Sequence, residues 1–447
     1  MGRLSLFCLF GRLRRREKRA SNAPSVAPPA TPEHQQPTPR VSSSITLETL
    51  PAELRHLILE SIEDIKDLKA LVFASPVYHQ QYLHSRKWLL RRTLQTTLGN
   101  GNVLADAYAA HTSGSLHEEG VESHIHADTF RLFMDQYIAH RSVGPGQVWA
   151  EAAATEDDLI EMAAFYLAVT CPLLRICSSV LLMRLNRSPD DSRLSRAERT
   201  RFLRALYRYQ TYCNIFGMRP GGDYKPFNLP HEERLVSFFG LFPPWEIEEI
   251  NCIYALVRDK CEKIFDTTTM ADLAKDHPGS DPAANRYLRS FNLSSPCKCH
   301  YLGIASRGLH AFLEIVQTPD DETLVRAMQK YMVWHERFLE ETMMLPTQWR
   351  RRSRHPSAED QAQARRDRLP FVGDEQGLMD GRSPAPPVAW VVMWRGQFKN
   401  EYGQAVDERF RKWGYVFWDC KRLKESGRRE TLVRDLRNPD MTRMRWD

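Results

Sequence analysis

A mainly α-helical fold is predicted for this 447-residue chain, with a small three-helix unit near the N-terminus, a larger helical domain after it and one candidate β element near the C-terminus. Three observations predict it. Apolar residues recur at spacings of three and four through most of the chain, which is the period of a helix face. Helix-start signals precede the longest of these runs: Thr155 stands before Glu156-Asp157-Asp158, and Ser195 is followed three residues later by Glu198, a capping-box pattern. Only residues 388–394, VAWVVMW, read as a short buried strand.

The N-terminal unit occupies residues 45–98. Leu50-Pro51 opens its first helix, with Thr49 placed to accept from free backbone N–H groups and Pro51 in the first turn, where its missing donor costs little. Leu54, Leu57, Ile58 and Ile62 follow as one apolar stripe. After the Glu63-Asp64 break, Ile65, Leu68, Leu71 and Val72 form a second periodic group that ends at Ser75-Pro76, a pair that stops one helix and caps the next. A third helix then carries Val77, Tyr78, Tyr82, Trp88, Leu89 and Leu94 on its apolar side, and Arg86, Lys87, Arg91 and Arg92 on its solvated side. Three helices in about fifty residues cannot bury all this apolar surface among themselves, so another surface must cover the excess.

The order Leu50-Pro51-x-Glu53-Leu54-x-x-x-Ile58, then Asp67-Leu68-x-x-Leu71, then Ser75-Pro76-x-Tyr78, resembles the F-box motif in the form found in filamentous fungi. The resemblance covers residues 47–98. It implies docking onto a Skp-family adaptor, and through it onto the cullin scaffold of an SCF-type ubiquitin ligase. Carried over position by position, it implies that Leu50, Pro51, Leu54 and Ile58 face the adaptor, while Leu68 and Leu71 chiefly hold the helices together and also count as adaptor-binding candidates. The segment Pro243-Pro244-Trp245-Glu246-x-Glu248-Glu249-Ile250 and the stretch 414–419 are similar to the central and terminal parts of fungal F-box proteins, which supports membership without supplying an activity.

Charge is unevenly placed. Residues 1–40 hold eight Lys/Arg and two Asp/Glu, which accounts for the whole formal charge of +6 and leaves 54 of each sign in the remainder. A neutral body argues against sequence-specific nucleic-acid binding by a basic face. In residues 1–20, Leu6, Phe7, Leu9 and Phe10 precede a basic block, a pattern that fits a weak membrane-surface contact, a nuclear-import signal or a solvated tail. The Pro/Ser/Thr/Ala-rich remainder of residues 1–44 cannot bury enough surface to offset chain entropy and is expected to be disordered. Nine cysteines without a disulfide framework or a preceding secretory signal fit a reducing compartment, the cytoplasm or nucleus.

Beyond the N-terminal unit, residues 102–345 are expected to form a helical body that recognises a protein target, residues 346–387 an exposed linker, and residues 388–447 a terminal module packed on the body. Within the body, Pro172 is expected to kink or break an apolar core helix, and Gly217 to stop the helix that Ser195 starts. Phe202, Leu203, Leu206, Tyr209 and Tyr212 supply the buried face of that helix, leaving Arg193, Arg196, Arg199, Arg201, Arg204 and Arg208 as a solvated or salt-bridged face. Trp245, Ile247, Ile250, Ile253, Tyr254 and Val257 form the apolar face of the next, with Glu246, Glu248 and Glu249 placed opposite the helix dipole. Trp413, Tyr415 and Trp418 read as packing residues.

Motifs of catalysis are missing. The chain has no P-loop, no G-x-S-x-G and no zinc quartet, and His335-Glu336 is followed by Leu339 where a zinc protease needs its second histidine. Cys297-Lys298-Cys299-His300 and His124-Ile125-His126 lack the further ligands of a metal site. The expectation is a receptor for an unidentified protein substrate, with no enzymatic activity and no cofactor. The alternative is an α-helical interaction or regulatory protein that does not act in ubiquitination.

Overall fold

The structure, a computed structural model, describes residues 46–99, 101–116, 125–143, 154–185, 193–218, 229–267, 298–318, 321–331, 338–369 and 385–436, with a few single positions between them. The N-terminal tail, His124 and Cys297 lie outside these residues. The described part is mainly helical and contains no strand.

The N-terminal unit has four helices rather than three: α1 (Ala52–Ser61), α2 (Ile65–Ala74), α3 (Pro76–His84) and α4 (Arg86–Leu98). Ser85, at φ −125° and ψ 24°, divides the expected third helix. Its N–H closes α3 on the Tyr82 carbonyl at 3.1 Å. The apolar period runs on across this break, which is why sequence alone joins the two pieces. Ser75 does cap α3, its hydroxyl accepting from Tyr78 N–H at 3.3 Å. Thr49 does not cap α1. It closes a tight turn ahead of it, donating to the Thr46 carbonyl at 2.9 Å and accepting from Thr46 N–H at 3.1 Å.

The body continues through α5 (Gly101–Thr112), α6 (Ala127–Ser142), α7 (Glu156–Phe165) and α8 (Cys171–Arg184). Thr155 caps α7 as expected, and Asp158 returns a bond to the Thr155 N–H. Pro172 does not break the helix. Its ring has no donor and crowds the carbonyl of Ala168 four residues back, and Ala168 lies in a π-helical turn, Tyr166–Thr170, that joins α7 to α8. The resulting stretch Glu156–Arg184 is long and apolar enough to cross a bilayer, but Leu159, Tyr166, Leu173 and Leu181 are fully buried in the protein core.

α9 (Arg196–Phe216) is the central helix, buried on almost every side between α5 and α11 (Pro244–Thr267), with α10 (His231–Ser237) between them in the chain. Shorter helices follow: α12 (Lys298–Ala305), α13 (Leu309–Gln317), α14 (Asp321–Tyr331), α15 (Leu339–Thr342), α16 (Leu345–Arg354), α17 (Ala358–Ala364), α18 (Val388–Met393), α19 (Glu408–Lys412), α20 (Cys420–Glu425) and α21 (Arg428–Asp435). Two expectations are corrected here. Residues 388–394 form a helix, not a strand: Trp390 and Val391 N–H both bond to the Pro387 carbonyl, and a run apolar on all sides suits a buried helical turn as well as a buried strand. Residues 346–364, within the expected linker, fold into most of α16 and into α17, with Gln348 and Arg351 buried and Arg351 paired to Asp360. The terminal helices share the body's core. Phe417 stacks on Phe202 with centroids 4.0 Å apart, and Trp413, Tyr415 and Trp418 are buried as packing residues.

Gly217 ends α9 for a reason other than left-handed backbone, since its φ is −86°. A β-carbon there would lie 2.1 Å from the Ser306 carbonyl oxygen and 2.4 Å from that of Cys213. Both obstacles are backbone, so Gly217→Ala must push α12 away from α9. We expect a loss of about 1–3 kcal/mol in a urea denaturation series; an unchanged midpoint would show that this approach is not tight.

Candidate functional site

The edge of the N-terminal unit is built from the turn before α1 and from α1 itself. Arg55 donates to the Glu48 carbonyl at 3.0 Å, and the Tyr78 hydroxyl donates to the Leu47 carbonyl at 3.3 Å, so the entering segment is tied to both α1 and α3. Helical geometry then divides the apolar residues of α1. Leu59 is fully buried and Ile58 is half-buried against the core, whereas Leu54 and Leu57 point outward at 46% and 56% exposure, beside Leu47 at 60%. Leu57 and Glu60, three residues apart, share one side of α1. His56 and Glu60 of α1 line a shallow depression together with the exposed Leu83 and Trp88, and there the His56 ring lies 5.7 Å from that of Trp88.

The expected adaptor-facing residues do not form one class. Pro51 and Leu54 are exposed, Leu50 is half-buried, and Ile58 faces inward more than outward. Leu68 is buried between helices, and Leu71 is half-buried against the core. Leu47, Leu57, Leu83 and Trp88 complete the apolar edge and were not among the candidates. On the opposite side of the unit, Leu89, Leu90, Leu94 and Leu98 of α4 are buried, and α4 packs on α5 and α7. The body thus covers part of the excess apolar surface, while the α1 strip stays open.

A second constellation lies at the centre of the molecule. Arg201, Arg204 and Arg208 are buried, so the face is not solvated, and the salt-bridged alternative holds for Arg204 and Arg208. Glu246 stands in the first turn of α11 as expected, but it is buried together with Glu248 and Glu249. Arg208 donates to Asp106 at 2.8 Å and to Glu246 at 2.6 Å, and its guanidinium lies 4.1 Å from the centre of the Phe242 ring. Arg204 bridges Glu246, at 2.8 Å, and both oxygens of Glu249. Arg141 donates to Asp106 at 2.8 Å, and the Tyr137 hydroxyl donates to the same oxygen at 2.5 Å. Three carboxylates thus meet three guanidiniums inside the core. Glu248 is held separately by Arg411 at 2.9 Å and by Gly403 N–H at 2.7 Å, and Glu198 by Arg422 at 2.7 Å. Carboxylates so fully engaged by fixed donors hold the helices together. The periodicity was a signal: residues 201, 204 and 208, and 246 and 249, each repeat at helix-face spacing.

The two central glutamates titrate in opposite directions. Burial opposes ionisation of Glu246, but Arg204, Arg208 and Arg141 outweigh it and hold the carboxyl down at about 2. Burial pushes Glu249 up to about 7, only partly offset by Arg204. The ordinary value is 4.5 for both. Glu246 therefore contributes stability above pH 4.5 that is lost as pH falls towards 2, while Glu249 contributes stability below pH 4.5 that is lost as pH rises through 7. Denaturation midpoints measured across this range should fall on both sides of a maximum, and Glu249→Gln should flatten the neutral-side slope. A neutral-side slope equal in wild type and variant would refute the assignment.

Among the described residues no group of three or more His, Cys, Asp or Glu side chains is arranged to hold a metal ion. Comparison of the chain with protein-family models, with curated proteins and with solved structures found no match.

Proposed function

We propose that the chain is an F-box substrate receptor that links a target protein to an SCF-type cullin–RING ubiquitin ligase through a Skp-family adaptor. The observation that supports the reading is the open leucine strip of α1 and the turn before it: Leu54 and Leu57 on the helix and Leu47 in the turn stay exposed, within the segment whose Leu-Pro-x-Glu-Leu order resembles the F-box. Apolar anchors grouped in this way are what a protein interface buries at its centre. The receptor's own contribution is positioning, since holding a target lysine near a charged conjugating enzyme raises its effective concentration without chemistry by the receptor. The target is a protein recognised by the helical body.

The test is co-expression of the full chain with a Skp-family adaptor and affinity capture on the adaptor. A stoichiometric complex that recruits cullin is expected. Stable expression of both proteins without a complex would favour the other reading, a helical interaction protein outside ubiquitination.

A further inference from the structure

The one β-bridge among the described residues joins Arg368 to Gln397 in antiparallel order. Two bonds fix it, from Leu369 N–H to the Gly396 carbonyl at 2.9 Å and from Phe398 N–H to the Asp367 carbonyl at 2.7 Å. Each side of the bridge follows a helix, and both helices end in the same way. After α17, Asp367 N–H bonds to the Ala362 carbonyl and Arg366 N–H to that of Gln363, both at 3.0 Å. After α18, Gly396 N–H bonds to the Val391 carbonyl at 2.9 Å and Arg395 N–H to that of Val392 at 3.2 Å. This paired closure calls for a left-handed residue, ordinarily glycine, just past the end of the helix. Arginine fills the position both times, Arg366 at φ 59° and Arg395 at φ 52°.

Among the described residues these two are the only non-glycine positions with left-handed φ. A side chain there costs stability that glycine would not. Both arginines are exposed, as is Arg368, and none of the three pairs with a carboxylate of the described residues. Three acids of the region are committed elsewhere: Asp367 to Arg365 at 2.7 Å, Asp360 to Arg351, and Glu401 to Gln363 at 3.0 Å. Arg366 and Arg395 each stand two residues from a member of the bridge, at most about 7 Å of chain, so the three guanidiniums lie within reach of one short ligand.

We propose that the surface around the Arg368–Gln397 bridge docks an acidic peptide of a partner protein, one with closely spaced Asp and Glu side chains. Each guanidinium offers a planar fork of N–H groups that matches a carboxylate, and three of them without counter-ions attract a run of acids. Two other anionic partners fit less well. A membrane surface also takes apolar side chains, and no large apolar side chain of the described residues between 358 and 400 is exposed. A nucleic acid tracks a longer basic groove, which Asp360, Asp367 and Glu401 interrupt. Glycine would end α17 and α18 with less strain but would supply no guanidinium, so the strain at Arg366 and Arg395 goes with a binding role. The inference does not rest on the docking role assigned to α1.

The test uses the full chain and the fluorescence anisotropy of a labelled peptide in which Glu alternates with Ser. Wild type should bind it. Arg366→Gly with Arg395→Gly should weaken binding at least about ten-fold, while the melting temperature stays level or rises. Arg368→Gln, at a position without backbone strain, should weaken binding as well and leave the melting curve unchanged. Absence of wild-type binding, equal binding by wild type and either variant, or a lower melting temperature of the glycine variant would overturn the proposal. So would a single-stranded oligonucleotide or phosphatidylserine vesicles that displace the labelled peptide better than unlabelled peptide does, because the surface would then serve nucleic acid or lipid. Residues 370–384 join the two sides of the bridge and include Asp374, Glu375 and Asp380. If Asp374→Asn, Glu375→Gln and Asp380→Asn together raise peptide affinity about ten-fold or more, the occupant is the chain's own loop and the proposal fails.

Discussion

Arg208→Ala is expected to destabilise the protein by about 3–5 kcal/mol, enough to leave much of the chain unfolded at physiological temperature. The guanidinium is fully buried and donates to Asp106 and Glu246, which are themselves buried. Truncation leaves two carboxylates facing each other across a cavity, with Arg141 and the Tyr137 hydroxyl left on Asp106 and Arg204 left on Glu246. The cost comes from what is left behind more than from what is removed, because a buried charge without its partner must either stay unsolvated or take up a proton. Asp106→Asn combined with Arg208→Met should therefore lose less than Arg208→Ala, since charge is removed from both sides together. Urea midpoints of the two variants give the comparison directly. A single variant as stable as wild type would mean that the network contributes little.

Leu54→Ala with Leu57→Ala should remove adaptor capture while leaving the fold intact. Central apolar anchors commonly cost about 2 kcal/mol or more each when truncated, so the pair should lower affinity by two orders of magnitude or more. Both side chains are largely exposed, so the melting curve should barely move. Leu59→Ala is the contrasting variant. Its side chain is fully buried in the same helix, and its loss should cost about 2–5 kcal/mol of stability. Leu50→Ala with Ile58→Ala mixes the two effects, because Ile58 also packs on the core. A folded Leu54/Leu57 variant that still binds the adaptor as wild type does would sink the docking assignment.

The helical class was legible because helix periodicity and caps are local. Thr155 with Asp158 and Ser195 with Glu198 pair within three residues, and both caps form as their order predicts. The break at Ser85 was not legible, since apolar residues keep their rhythm through it. Burial of the arginines was not legible either. Arg204 finds Glu249 45 residues away, and Arg208 finds Asp106 across 102, so an arginine stripe reads as solvent-facing until its partners are placed. On α1 the motif set Ile58 outward, whereas Leu57 is the exposed member of the adjacent pair and Ile58 packs on the core. Which of the two turns inward depends on where the body packs, and that is not written in the motif.

The continuity of the core from Leu59 to Leu432 has a mechanical meaning. With α4 seated on α5 and α7, the leucine strip is joined to the body through packed helices and not through a linker. On the proposed receptor reading, cargo held by the body keeps a fixed bearing relative to an adaptor that grips α1. Its reach would be set by the angle at which α4 enters the body, so one added helical turn in α4 would swing the cargo away, whereas lengthening a surface loop would not.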